Sequence, residues 1–191
     1  MYKTFYKRIF DIIFCIFFLP LVLVLLVIIF ISIKFISKGP FIHWSDRVGE
    51  NSIIFSMPKI RTMKINTPQK ATHLIKNPED HLIKYGSFLR KTSLDEMPQI
   101  FLILVGKMTL VGPRPALFNQ FDLIRIRQEK GIDKLKPGLT GWAQINGRDK
   151  LGINEKVAMD YFYLKNQSIY LDLKIIILSL LIIFKKDIIS H

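Results

Sequence analysis

The run Lys7-Arg8-Ile9-Phe10-Asp11-Ile12-Ile13-Phe14-Cys15-Ile16-Phe17-Phe18-Leu19-Pro20-Leu21-Val22-Leu23-Val24-Leu25-Leu26-Val27-Ile28-Ile29-Phe30-Ile31-Ser32-Ile33-Lys34 decides the architecture of this chain. Residues 9–33 are almost wholly apolar, and Asp11 is their only ionisable side chain. As one helix they would reach roughly 37 Å, against a hydrocarbon core of ~30 Å. The stretch is therefore a membrane element. A cleaved signal peptide does not fit: its apolar region is only about 7–15 residues long and ends at a small-residue cleavage site. Here Lys34, Lys38, Gly39 and Pro40 follow a longer run.

The path of this segment is a separate matter. Lys3, Lys7 and Arg8 precede it, and Lys34 and Lys38 follow it. Basic flanks are drawn to the cytoplasmic side, which here would bring both ends to the same face. Pro20, near the middle, removes a backbone hydrogen bond and crowds the preceding turn, at a cost of ~3 kcal/mol in an ordinary helix. A helix that enters, bends at Pro20 and returns satisfies both observations. A spanning helix with a tolerated proline satisfies the second alone. The residues leave both open. Asp11 lies one turn after Lys7 and Arg8, and the spacing predicts a shallow ion pair with them at the interface.

The chain has 191 residues, a formal net charge of +13, 50% hydrophobic residues and a mean hydropathy of +0.28. That length holds one compact domain beside the membrane element. The basic balance calls for an anionic partner: nucleic acid, an anionic membrane surface or phosphorylated substrates. No helix-turn-helix, RNA-binding or zinc motif is present, so nucleic acid is not expected. Cys15 is the single cysteine, which excludes a disulfide framework and fits a cytoplasmic domain. It is expected to be a small buried apolar residue. His43, His73, His81 and His191 show no metal-ligand spacing. There is no phosphate-cradling P-loop, no G-x-G-x-x-G and no Ser-His-Asp constellation.

Gly39-Pro40 breaks the chain between membrane element and domain. Two short strands are predicted at 41–44 and 52–55, turning at 48–51. Residues 66–81, with Pro68, Pro78, Asn66 and Asn77, read as a loop. Helix is expected over 82–105, restarting at Ser93, which with Glu96 three residues on matches a capping box. Leu94, Ile100, Phe101, Leu104 and Val105 would form its apolar face, and Pro98 falls in its first turns. An extended turn at 111–115, a helix near 116–130, an irregular stretch over 136–148 and a helix over 153–166 follow. The apolar run 175–184 is too short to span and reads as a core or interfacial helix.

Asp95-Glu96 is the outstanding acidic pair in a basic chain. Adjacent carboxylates at a helix N-terminus are expected to stay ionised. They can hold a hard cation such as Mg²⁺, and one of them can attack a phosphoryl group. A bare helix cap would have the same sequence. The surroundings favour chemistry: Lys59 and Arg61 in Lys59-Ile60-Arg61-Thr62-Met63, Arg90 just before the pair, Arg114 between Pro113 and Pro115, and Arg148 at the end of a glycine-rich stretch. Arginine forks suit phosphate oxygens.

Five motifs stand in order: Lys59-Ile60-Arg61-Thr62-Met63, Ser93-Leu94-Asp95-Glu96, Val111-Gly112-Pro113-Arg114-Pro115, Lys136-Pro137-Gly138-Leu139-Thr140-Gly141-Trp142-Ala143-Gln144-Ile145-Asn146-Gly147-Arg148, and Asp160-Tyr161-Phe162-Tyr163-Leu164-Lys165-Asn166. Together they resemble the bacterial sugar transferase family, the monotopic phosphoglycosyl transferases typified by small bacillosamine-phosphate transferases. The resemblance implies transfer of a sugar 1-phosphate from a UDP-sugar to undecaprenyl phosphate with release of UMP, using Mg²⁺. It implies Asp95 as the nucleophile, forming a covalent phosphosugar, and Glu96 in the metal site or as a positioning group. Lys59, Arg61, Arg90, Arg114 and Arg148 fall at basic positions that would bind donor or lipid phosphate. The implied membrane helix is re-entrant and broken near a Ser-Pro pair; here the pair is Leu19-Pro20, so the serine is missing. Ile60 replaces the aromatic residue usual in the first basic motif. The chain is similar to the minimal catalytic form, without the multi-helix extension of larger relatives.

The expected fold is therefore α+β and mostly helical. Residues 1–38 would form a re-entrant helix-break-helix. Residues 39–191 would form a compact interfacial catalytic domain with a small β-hairpin or sheet. The resemblance places it at the bacterial inner membrane, facing the cytoplasm, in O-antigen, capsule or glycoprotein glycan synthesis. An N-acetylated donor sugar is the leading expectation, and a homo-oligomer is allowed.

Overall fold

A computed structural model describes residues 5–65, 67, 78–147 and 150–184. The apolar run forms a helix, α1 (Lys7–Ile36), that continues through Pro20, so the expected helix-break-helix is one unbroken helix over its described residues. It is the one described helix long and apolar enough to cross a membrane. One stripe of α1 is covered along its whole length: Lys7, Asp11, Cys15, Ile29 and Ile33 are buried, and Leu19, Val22 and Leu26 pack between them. The spacing of three or four keeps them on one helical face. The other faces, with Phe17, Leu21, Val24 and Ile28, stay exposed and apolar.

After Ser37, the chain turns back at Gly39 and enters a hairpin, β1 (Ile42–Val48) and β2 (Ile54–Ile60), in antiparallel register from Ile42↔Ile60 to Val48↔Ile54. Its turn uses two residues with positive φ, Asn51 and Ser52. The strands are longer than the sequence reading, and Ser52 and Ile53 belong to the turn. The short strand β4 (Ala116–Leu117) adds to β1, giving the order β2-β1-β4. A separate parallel pair joins β3 (Thr109–Val111) to β5 (Gly138–Thr140), so the stretch 136–148 is not wholly irregular. Gly138 is required here, because a Cβ would lie 2.1 Å from the Gly112 nitrogen.

Six further helices complete the described chain: α2 (Gly86–Lys91), α3 (Ile100–Leu104), α4 (Phe121–Glu129), α5 (Trp142–Ile145), α6 (Ile153–Asn166) and α7 (Ile169–Phe184). The N-terminal half of α1 packs on a core that includes Ile103, Met108, Val111, Tyr163 and Ile175. Its C-terminal half packs on Ile60, Ile83 and Leu89. The first helix expected over 82–105 is the shorter α2, and the one expected to restart at Ser93 is a 3-10 turn over Leu94–Gln99 followed by α3. Ile100 and Ile103 fill the core, while Phe101 and Val105 are exposed, contrary to the expected apolar face.

Asp11 corrects a second expectation. It accepts hydrogen bonds from Thr109 Oγ1 at 2.6 Å and the Leu110 amide at 3.2 Å. Lys7 pairs with Asp172 on α7, and Arg8 donates to the carbonyls of Ile103 and Leu104. A buried carboxylate is better satisfied by fixed donors than by flexible lysine at the surface. Cys15 is fully buried, as expected.

Candidate active site

The site is assembled from three connections that end side by side. The hairpin delivers Lys59 near the end of β2, which packs on the 3-10 turn carrying Asp95 and Glu96. That turn begins at Ser93 with φ 56°, a left-handed conformation, and Ser93 makes no side-chain cap. The predicted capping box therefore does not form. Glu96 turns its side chain instead to Lys59 Nζ at 2.8 Å and Arg114 Nη2 at 3.3 Å. Arg114 comes from the loop between β3 and β4, held between two prolines whose φ is preset.

Arg90 arrives on α2. The N-terminus of α2 presses on the end of the first basic motif: a Cβ on Gly86 would lie 2.5 Å from the Thr62 carbonyl oxygen. This approach lets Arg90 Nε donate to Thr62 Oγ1 at 2.9 Å. Asp95 and Glu96 are both buried, and Lys59, Arg90 and Arg114 all act electrostatically on Asp95. Burial raises the Asp95 carboxyl above the usual carboxylate value, and Glu96 adds to this, while Lys59, Arg90 and Arg114 oppose it. The macrodipole expected to keep the pair ionised is that of a six-residue 3-10 turn, too short to outweigh burial. Burial likewise lowers Lys59 from the ordinary lysine value, against the pull of Glu96.

Of the basic residues read from sequence, Lys59, Arg90 and Arg114 meet at the acidic pair. Arg61 turns elsewhere. Its guanidinium donates to the carbonyls of Pro40 at 2.6 Å and Lys38 at 3.0 Å and to Ser37 Oγ at 3.2 Å, fastening the exit of α1 to the end of β2. Arg148 lies outside the described residues, as does His73 in the expected loop. Pro20 sits inside α1.

Three residues at or behind the site are not singled out as site residues by the sequence, although Asp160 opens the fifth motif. His43 is paired with Lys59 across the hairpin, and side chains so paired lie side by side on one face. Desolvation and the cations Lys59, Arg47 and Arg90 hold its imidazole below the ordinary histidine value. Counting back from Lys59 through the turn would have located it. Arg127 and Asp160 form a buried pair with Nη2–Oδ2 at 2.6 Å and Nε–Oδ2 at 3.1 Å, and Arg127 Nη1 donates to the Arg114 carbonyl at 2.9 Å. No local pattern announces that long-range pair.

The acidic pair offers an all-oxygen donor set, and like charges buried together are what a divalent cation relieves. No group of three or more His, Cys, Asp or Glu residues gathers among the described residues. Two carboxylates fit Mg²⁺ only as part of a shell that water and substrate phosphate complete.

Comparison with known proteins shows the family. The profile of the family described as bacterial sugar transferase matches residues 2–186. An uncharacterized sugar transferase, EpsL, of Bacillus subtilis (strain 168) is 36% identical over 173 residues, covering 91% of this chain and 84% of that protein. The UDP-glucose:undecaprenyl-phosphate glucose-1-phosphate transferase of Escherichia coli (strain K12) is 36% identical over 180 residues, covering 91% of this chain and 39% of that protein. The UDP-N-acetylgalactosamine-undecaprenyl-phosphate N-acetylgalactosaminephosphotransferase of Aeromonas hydrophila is 32% identical over 180 residues, 91% of this chain and 42% of its own length. This chain thus spans less than half of those last two relatives. With a match along nearly its whole length and an acidic pair buried among the cations of its motifs, the chain belongs to the bacterial sugar transferase family.

Proposed function

We propose that this chain moves a sugar 1-phosphate from a UDP-sugar to undecaprenyl phosphate and releases UMP. The observation that carries this is a buried acidic pair ringed by Lys59, Arg90 and Arg114 in a domain packed along a membrane helix. Phosphoryl transfer needs positioning and charge neutralisation more than elaborate acid–base machinery. In the first step an Asp95 carboxylate oxygen bonds to the sugar-linked phosphorus, and the bond to the UMP oxygen breaks with its electron pair leaving on UMP. In the second, a phosphate oxygen of the lipid attacks the same phosphorus, and the Asp95 carboxylate leaves. Lys59 and Arg114 orient Glu96 and neutralise the diphosphate, and Arg90 faces Asp95. Mg²⁺, held by Asp95 and Glu96 with phosphate oxygens, would supply further neutralisation of the diphosphate.

The acceptor cannot leave the bilayer, so the site must lie at its surface. A straight helix of 30 residues is about 45 Å long. Both ends of α1 nevertheless touch the same domain, Lys7 through Asp172 and Ser37 through Arg61. This supports a re-entrant path with both ends on one face, which the basic flanks assign to the cytoplasmic side of the inner membrane. The donor sugar is proposed to be N-acetylated; the named relatives act on different sugars. Glycan synthesis for O-antigen, capsule or glycoprotein would follow.

Purified full-length chain with Mg²⁺, undecaprenyl phosphate and a panel of UDP-sugars should yield UMP with at least one donor. With donor alone, intact mass should show a phosphosugar adduct that Asp95→Asn lacks. No UMP from any sugar, or full activity in Asp95→Asn, would refute the mechanism.

A further inference from the structure

Helix α6 presents two buried polar side chains one helical turn apart, Asp160 and Tyr163; Tyr163 reaches the segment that carries Arg114 directly, and Asp160 does so through Arg127. At its start, Tyr163 Oη lies 3.0 Å from the Val111 carbonyl oxygen and 2.7 Å from Asp172 Oδ1, its one proton shared between two acceptors. At its end, Asp160 fixes Arg127, whose Nη1 donates to the Arg114 carbonyl at 2.9 Å. The segment 111–114 is thus held at both ends from a single helix face. Behind it, Asp172 pairs with Lys7 at 2.5 Å, and Asp11 holds the Leu110 amide. Four of these groups, Asp11, Asp160, Tyr163 and Asp172, are each at most 3% exposed. A hydrophobic contact would fill the same space; a hydrogen-bonded chain also fixes direction, at a high cost if left incomplete.

We propose that Tyr163 and Asp160 are positioning residues for the transfer, holding residues 111–114 so that the Arg114 guanidinium meets Glu96. Lys7 and Asp172 extend this hold into α1, so the seating of the membrane helix is felt at the reacting carboxylates. The role rests on the transferase reading above. Tyr163 and Asp160 both act through Arg114.

The test is a double-mutant cycle in the full-length chain in nanodiscs, with kcat and donor KM read from UMP release. Tyr163→Phe keeps the ring and removes the hydroxyl. It should lower kcat at least ~10-fold with KM changed less than ~3-fold, the pattern of a displaced charge. In an Arg114→Lys background, the same change should cost less than ~2-fold, because the effect runs through Arg114. Asp160→Asn should repeat both results through Arg127, and it stands in if Tyr163→Phe does not fold. A kcat within ~2-fold of wild type, or an equal loss in both backgrounds, overturns the proposal. Amide hydrogen exchange at Val111, Gly112 and Arg114 reads the segment without turnover. If the wild type turns over no donor, the transferase reading fails and exchange decides alone: faster exchange in Tyr163→Phe upholds the clamp, and unchanged exchange overturns it.

Discussion

Replacing Asp95 by asparagine should destroy activity and make the protein more stable. Asp95 is 7% exposed, and burial and Glu96 together outweigh the attraction of Lys59, Arg90 and Arg114. Folding therefore shifts this carboxyl toward its neutral form relative to the unfolded chain, and asparagine imitates that form without change of shape. The sign follows from the raised value: a carboxyl raised by folding gives no penalty at low pH and destabilises as pH rises through its folded value. The variant and the wild type should be equally stable below about pH 3.9, the ordinary carboxylate value, and should diverge above it. At neutral pH the variant should be the more stable form, and for a chain of this size each kcal/mol gained is about 2–4 °C in Tm. Mg²⁺ with donor should invert the order, because a ligand at ~100 times its Kd adds about 2.7 kcal/mol to whichever form binds it. UMP release should fall by at least ~10³-fold, as for a removed nucleophile. Thermal unfolding in nanodiscs across pH, with and without Mg²⁺ and donor, checks the stability arm. A variant less stable than wild type at neutral pH in the absence of ligand would refute the electrostatic account.

Because Asp95 must be ionised to attack, the acid limb of kcat/KM should lie above the ordinary carboxylate value of about 3.9 and move down as Mg²⁺ is raised; a limb at or below that value would count against it. Gly86→Ala puts a Cβ 2.5 Å from the Thr62 carbonyl, a backbone atom that cannot step aside cheaply. It should cost about 1–3 kcal/mol in thermal unfolding and raise donor KM through Arg90; an unchanged Tm would show that α2 can shift freely. In a Cys15→Ala background, single cysteines at Phe5 and Lys38 should react with a membrane-impermeant label from the same side of sealed vesicles, and labelling from opposite sides would sink the re-entrant path.

Several elements were legible because their information is local. The helix at 153–166 matches α6 residue for residue, and the hairpin follows from two apolar runs around a turn. The acidic pair, Lys59 and Arg114 lie in the ordered motifs, and Arg90 is legible from its place just before the pair. What was missed depends on contacts distant in sequence. Ser93 adopts φ 56° and forms no cap, while Glu96 is claimed by Lys59 and Arg114, 37 and 18 residues away, a competition that a local capping rule cannot see. Arg61 resembles a phosphate ligand in its motif, yet the carbonyls at the end of α1 take its donors. Asp11 finds β3, 98 residues on, rather than its helical neighbours. Strand β5 was hidden in a glycine-rich stretch, because its three residues are strand only by virtue of pairing with β3.

The covered stripe of α1 also bears on how the molecule comes into being. Cys15, Ile29 and Ile33 belong to the same clusters as Ile103, Val111, Ile60 and Leu89. Each such side chain is worth about 1.5–3 kcal/mol when buried, a large share of the few kcal/mol that keep a domain folded. Chains are made N-terminus first, so on the proposed membrane path α1 is in lipid before the residues it packs against have left the ribosome. A version trimmed of that helix would be an unfinished core.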